Sequence, residues 1–354
     1  MVLEKISLQN FRGYSKKEFS FSEGTTLILG PNTVGKTNLL EAVYLLASGK
    51  SVRAGFEQEM IAYEKEIARV KGRVLGDEKV DLEIILTCGM VGGDKASRKK
   101  YLVNGVARRM MDFLGSLRAV YFGPEDLDLV IGSPSQRRKY LDLVLSQADR
   151  EYARSGLSYE KGLRQRNKLL ERIREEGLPA GGQGVPRSQL LFWNQLLIKE
   201  GGVLTEKREE FIDFVNQEKS KLPDFKLEYD KSIISPARLE EYAQEEVAAA
   251  ATLVGPHRDD FEFRIGDREL SAFGSRGEQR LGILWLKMGE LEFIAQKTKQ
   301  RPILLLDDIF SELDHEHRAL VLEIIPKQQT IITATDSDLL EKKDLKEVEV
   351  LKLS

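Results

Sequence analysis

Apolar residues alternate with polar ones near the start of the chain. Val2, Leu3, Ile6 and Leu8 mark one strand at 2–9, and a second alternating stretch follows at 17–22. Residues 25–29, TTLIL, form an uninterrupted run that predicts a buried strand, and helical spacing follows in Leu39, Leu40, Val43 and Leu46. Between 50 and 105 the strand pattern returns in EIARVKGRVLG, KVDLEIILT and RKKYLVNGVARR, with Asn104-Gly105 as a hairpin signal. An antiparallel sheet is expected there. LRAVYF at 117–122 predicts one more short strand, ended by Gly123-Pro124.

From about residue 134 the pattern changes. Residues 134–176 carry apolar positions at helical spacing (Leu141, Leu145, Tyr152, Leu163, Leu170). A Gly- and Pro-dense loop at 178–188 separates them from a second helical stretch at 189–221, stopped by Pro223, so a helical hairpin is expected. A short strand at 225–230 and a helix at 236–251 complete this unit. Sheet texture resumes at 254, followed by a helix at 277–297, strands at 303–308, 329–336 and 347–353, and a helix between the first two of these. The prediction is an α/β domain in two segments, 1–133 and 251–354, split by a helical insert at 134–250. No repeat at a solenoid period is visible.

The 354 residues suit two structural units, and 41% hydrophobic with 31% charged residues describes a charge-rich globular chain. A net charge of −3 gives no global basic field, so contact with nucleic acid has to come from local patches. Cys88 is the only cysteine, which rules out an intrachain disulfide and fits a reducing compartment. The first residues carry charges where a signal peptide needs an apolar core, and the longest apolar run, 247–254, is too short to span a bilayer. A cytoplasmic chain with no membrane partner is expected. His315 and His317 stand at i,i+2 on a predicted helix and do not face a common metal; His257 reads as a structural histidine and Cys88 as a strand residue.

The chemistry is concentrated at 30–37. GPNTVGKT (Gly30, Pro31, Asn32, Thr33, Val34, Gly35, Lys36, Thr37) lies between a buried strand and a helix, the context a phosphate-binding loop requires. Its glycines let backbone N–H groups curl around a polyanion at a helix N-terminus. Lys36 would reach the β/γ-phosphates, and the Thr37 hydroxyl would serve Mg²⁺. ATP with Mg²⁺ is the expected ligand. ILLLDD at 303–308 delivers two acids at a strand end: Asp307 to order the metal and Asp308 to polarise an attacking water. Alone, an apolar strand followed by two acids is more often a strand ending in a solvated turn; beside the loop at 30–37 the catalytic reading prevails, with Asp308 and Lys36 as catalytic residues. SRGEQR at 275–280 opens a helix, where Ser275, Gly277 and Gln279 are candidate phosphate contacts. Ser275 with Glu278 equally fits a plain capping box.

Cations concentrate at 97–118, where Arg98, Lys99, Lys100, Arg108, Arg109 and Arg118 face one acid, Asp112. That stretch either meets DNA phosphates or forms a solvated hairpin face. Arg137, Arg138 and Lys139, with Arg164 and Arg166 on the helical lobe, make a second candidate DNA contact. No helix-turn-helix, zinc-finger or RNA-binding signature is present, so any binding reads backbone or shape.

NFRGY at 10–14, the 30–44 segment, VNG, FGPEDLDLV, the run Arg137-Arg138-x-Tyr140-Leu141-Asp142, GPHRDD, SRGEQR and LLLDDIFSELD occur in the order found in the RecF family of SMC-like ABC ATPases, which the chain resembles from residue 10 to 314. The resemblance implies an ABC-type P-loop ATPase head with a helical lobe standing where SMC proteins carry coiled coils. It implies ATP binding, slow hydrolysis and an ATP-dependent homodimer in which the segment around Ser275 completes the partner's site. It also implies DNA binding at single-stranded gaps, action with RecO and RecR in loading RecA, and links to replication restart and SOS induction. By the same resemblance Arg12 lies near the nucleotide, Thr335 stands where a γ-phosphate sensor sits, and FGPEDL takes the place of a Q-loop, bringing Glu125 or Asp126 near the metal. Arg276 departs from the glutamine or glycine common at that position. A transporter nucleotide subunit and a non-catalytic dimerising head are the competing readings. The long helical insert argues against the first, and Asp308 in place of glutamate favours the second.

Overall fold

The computed structural model describes all residues except 77, 177–184, 219–220, 312, 314 and 336–347, and only the backbone of 185–188. The chain forms two units: Met1–Leu127 with Arg280–Ser354, and Asp128–Gln279. The helical unit is therefore wider than the expected 134–250 and takes in the 275–279 segment. The reason is a pairing that spans the insert: Phe225–Asp230 runs antiparallel to Asp260–Ile265, which in turn pairs with Arg268–Glu269.

The first unit contains a five-stranded parallel sheet, in the order Ala119–Phe122, Ile303–Asp307, Thr330–Ala334, Thr25–Leu29, Val348–Lys352. Its inner strands ILLLD and TIITA are buried throughout, as expected of a parallel sheet covered on both faces. A six-stranded antiparallel sheet lies in the same unit, in the order Tyr14–Ser20, Val2–Phe11, Ile67–Leu75, Lys79–Thr87, Lys99–Val103, Val106–Arg108. Period-2 alternation is clear in IARVKGRVL: Ala68, Val70 and Val74 are buried while Arg69, Lys71 and Arg73 are exposed. The helix Lys36–Ser48 packs on this sheet at Gly72, where a Cβ would stand 2.6 Å from Leu46 Cδ1. Only glycine allows that approach.

In the second unit the expected helix at 134–176 is two helices, Pro134–Ala148 and Arg150–Glu175. The break is at Asp149, whose carboxylate accepts from the N–H groups of Glu151 (2.7 Å) and Tyr152 (3.1 Å) as an N-cap. The helix Val185–Gln217 follows, and the expected helix at 236–251 is divided at Tyr242 into Pro236–Glu241 and Ala243–Ala249. Buried charge ties the unit together. Arg208 donates to Tyr152 Oη, Asp142 Oδ1, Asp259 Oδ2 and the Pro256 carbonyl at 2.6–3.0 Å, and Arg166 pairs with Glu246 at 2.6 Å. His257 lies between the Tyr159 hydroxyl and the Thr252 carbonyl, both at 2.9 Å, and burial pulls its pKa down to about 4. The neutral ring therefore donates through Nε2 and accepts through Nδ1, consistent with a structural histidine. Among the described residues, no helix is long and apolar enough to cross a membrane.

Candidate nucleotide-binding site

The strand Thr25–Leu29 turns through residues 30–35 into the helix Lys36–Ser48. Gly35 sits at φ 107, and a Cβ there would lie 2.8 Å from the Tyr14 hydroxyl, which donates to the Gly35 carbonyl at 3.0 Å. Burial pushes the Tyr14 phenol up to about 12, so it remains a donor. Thr33 also takes a left-handed conformation (φ 72), and the loop closes over itself. The Lys36 ammonium is 7% exposed and donates to the carbonyls of Gly30 (2.6 Å) and Pro31 (3.0 Å). A polyphosphate offers stronger, charged acceptors for the same donor.

Asp307 gathers donors from three elements. It accepts from Thr37 Oγ1 at 3.1 Å, Thr333 Oγ1 at 2.7 Å and Tyr121 Oη at 2.9 Å, while only 2% exposed. Asp308 follows at φ 53, its N–H bound to Thr333 Oγ1, and its buried Oδ1 has no hydrogen-bond partner among the described residues. Burial raises its pKa, with Lys36 opposing and the neighbouring Asp307 adding to the rise. A hydroxyl, a carboxylate and an orphaned carboxylate oxygen are hard donors, and beside Lys36 they fit Mg²⁺ held with a triphosphate.

Tyr121 was not foreseen. It stands near the end of the strand Ala119–Phe122, and its hydroxyl also lies 3.0 Å from Glu125 Oε2, while Glu125 Oε1 pairs with Arg53 at 2.9 Å. Of the two acids expected near the metal, Glu125 thus faces Asp307 through Tyr121. Asp126 instead pairs with buried Lys287 at 2.9 Å and accepts from the Gly123 N–H.

Other expected site residues are placed differently. Arg12, which the resemblance places near the nucleotide, donates through its guanidinium to Glu41 at 2.9 and 2.7 Å and to the Glu59 carbonyl at 2.7 Å. Glu41 is fully buried on the P-loop helix, so neutralising it occupies Arg12. Thr335 is exposed just past the strand Thr330–Ala334. In the second unit Ser275 and Glu278 form a reciprocal capping box at 3.2 and 2.7 Å, and Ser275, Arg276 and Gly277 are exposed. Ser275 Oγ acts there as an acceptor, leaving its proton for another partner. Gln279 turns inward, 4% exposed, with its amide on the carbonyls of Leu270 and Gly274, so it braces the turn.

The DNA candidates divide in the same way. Arg98 and Lys100 are exposed. Lys99 shares the inner face with Tyr101, pairs with Glu57 and donates to the Gly49 carbonyl, and burial pulls its pKa down. Arg137 is 8% exposed, bound to Asp260 at 2.6 and 2.8 Å, and Arg138 donates to the Asp259 carbonyl. Lys99, Arg137 and Arg166, the last 1% exposed and paired with Glu246, are thus corrected to internal ion-pair residues, because alternation and helix phase turn them inward.

A phosphate-loop helix beside a parallel sheet, with an acid strand next to the loop strand's neighbour and an inserted helical unit, is the ATPase head of the ABC type found in SMC proteins. The model of the RecF/RecN/SMC N terminal domain matches residues 2–352. An SMC head domain from Pyrococcus furiosus shares the fold, with a TM-score of 0.51 at 18% identity over 99% of this chain and 94% of that one. The chain belongs to the RecF family. The DNA replication and repair protein RecF of Herpetosiphon aurantiacus is 38% identical over 96% of this chain and 94% of its own length, and that of Bacillus cereus is 33% identical over 99% and 96%. A solved structure of the recombination mediator protein RecF with ATP, in the RecFOR pathway, superposes with a TM-score of 0.83 at 31% identity, covering 96% and 93% of the two chains.

Proposed function

We propose that this protein is an ATP-dependent DNA-binding protein of recombinational repair that dimerises on ATP and acts in the cytoplasm at single-stranded gaps. With RecO and RecR it would help load RecA, and so serve replication restart and SOS induction. Membership of the RecF family supports the pathway. The observation that carries the ATP reading is the convergence of Lys36, Thr37, Asp307 and Asp308 on one end of the parallel sheet. Lys36 exchanges two neutral carbonyls for phosphate oxygens. Thr37 and Asp307 would hold Mg²⁺, which when bound would neutralise charge on the β- and γ-phosphates. Asp308 would accept the proton of the attacking water through the oxygen that has no partner among the described residues.

Asp308→Asn separates hydrolysis from binding. The amide cannot take the water's proton, so single-turnover phosphate release should fall by about a hundredfold or more while ATP affinity stays within about twofold. An unchanged release rate would remove Asp308 as the base. Absence of release in the wild type, with and without DNA, would leave ATP as a dimerising ligand only.

A further inference from the structure

The outer face of the six-stranded sheet carries a feature that the linear charge pattern hides. Strand register places Lys16, Gln9, Arg69, Ile85 and Lys100 in one row across five strands. Lys16, Arg69 and Lys100 are exposed, and the row contains no acid, although the chain as a whole is net negative. The acids Glu18, Glu83 and Asp81 stand in the next two rows, where Glu18 pairs with Lys5, and Asp81 with Lys71 and Arg73. Arg69 reaches Glu83 diagonally at 2.9 Å, a pair with 45% and 19% exposure, weak enough to exchange for a phosphate. Two inter-strand steps of ~4.8 Å separate successive cations, about 10 Å, close to three base-pair rises of ~3.4 Å. None of the five residues is aromatic, so the row offers no stacking platform for unpaired bases.

We propose that this row is a track for the phosphate backbone of duplex DNA, which deepens the DNA-binding reading above and rests on it. The row also lies at the nucleotide end of the sheet. Lys16 follows Tyr14 by two residues, and the Tyr14 hydroxyl holds the Gly35 carbonyl of the phosphate loop. Duplex contact at Lys16 thereby bears on the strand that buttresses the loop.

The test is duplex affinity against salt, by fluorescence anisotropy with a 30-base-pair probe, ATP and Mg²⁺. The triple variant Lys16→Gln/Arg69→Gln/Lys100→Gln should lose more than tenfold in affinity and flatten the log–log slope by about 2.7, at ~0.9 per lost contact. A control with equal charge loss at exposed lysines outside the row and outside 97–118, Lys17→Gln/Lys79→Gln/Lys95→Gln, should keep affinity within about twofold and keep the slope. The inference is overturned by a triple variant that binds like the wild type, the result expected if the row meets an acidic protein, or by a control that weakens equally. Wild-type protein that binds no duplex in any nucleotide state would remove the DNA reading itself. If the triple variant loses nucleotide affinity, the exposed single changes Lys16→Gln and Lys100→Gln must each flatten the slope by about 0.9 for the inference to stand.

Discussion

Lys36→Ala should lower ATP affinity by well over tenfold, more than about 1.4 kcal/mol, in a fluorescence titration. The ammonium is seated on the loop carbonyls of Gly30 and Pro31, and the residue is buried. Alanine removes the charge-assisted donor to the β/γ-phosphates and leaves only backbone N–H groups and the helix dipole, which position an anion without neutralising it. Thr37 and Asp307 remain, so a Mg²⁺-dependent residue of binding should persist. Wild-type affinity in this variant would exclude Lys36 from the site.

Arg208→Ala should destabilise the helical unit by about 3–5 kcal/mol, the cost of leaving buried carboxylates without their counter-charge. Asp259 is fully buried and would retain only the Tyr229 hydroxyl and the Ser232 N–H, while Asp142 and Tyr152 would each lose a donor. Arg172→Ala provides the contrast: its pair with Glu176 is 62% and 43% exposed, so solvent screens it and its loss should leave stability nearly unchanged. Denaturant unfolding followed by circular dichroism compares the two. Equal stabilities would mean that apolar packing, and not the ion network, holds the 255–260 turn to the helices.

What was readable in the sequence is local in sequence. The loop at 30–37 and the acids at 307–308 are contiguous, and each follows an apolar run that fixes its strand, so their position at a strand end is legible without knowledge of the fold. Tyr121 illustrates the opposite case. Its contact with Asp307 spans 186 residues and depends on parallel pairing between Ala119–Phe122 and Ile303–Asp307, which no local pattern specifies. Two other misplacements carried a usable signal. In RKKYLV, period 2 puts Lys99 on the face of Tyr101 and Val103. In the helix from Pro134, Arg137 shares a stripe with Tyr140, Leu141 and Val144, all buried. Counting charge along the chain hid both, and it also hid the row of Lys16, Arg69 and Lys100, whose members are brought together by strand register alone. The wider helical unit follows from pairing across the 225–265 span, which composition does not announce.

In the proposed ATP-bound dimer, ATP at Lys36 of one copy would be acted on with Ser275 of another, and mixing two inactive variants tests this. Ser275→Arg places a bulky cation at an exposed helix start and removes the hydroxyl, yet leaves Lys36 and Thr37 in place, so ATP should still bind while dimerisation and phosphate release fail. Lys36→Ala should fail at binding. An equimolar mixture forms heterodimers in which one site keeps both its own Lys36 and the partner's Ser275. Phosphate release should then return to at most about a quarter of the wild-type rate per chain, the statistical share of intact sites in a random two-fold assembly. Release no greater than the sum of the separate variants, or normal turnover by Ser275→Arg alone, would contradict a site shared between two copies.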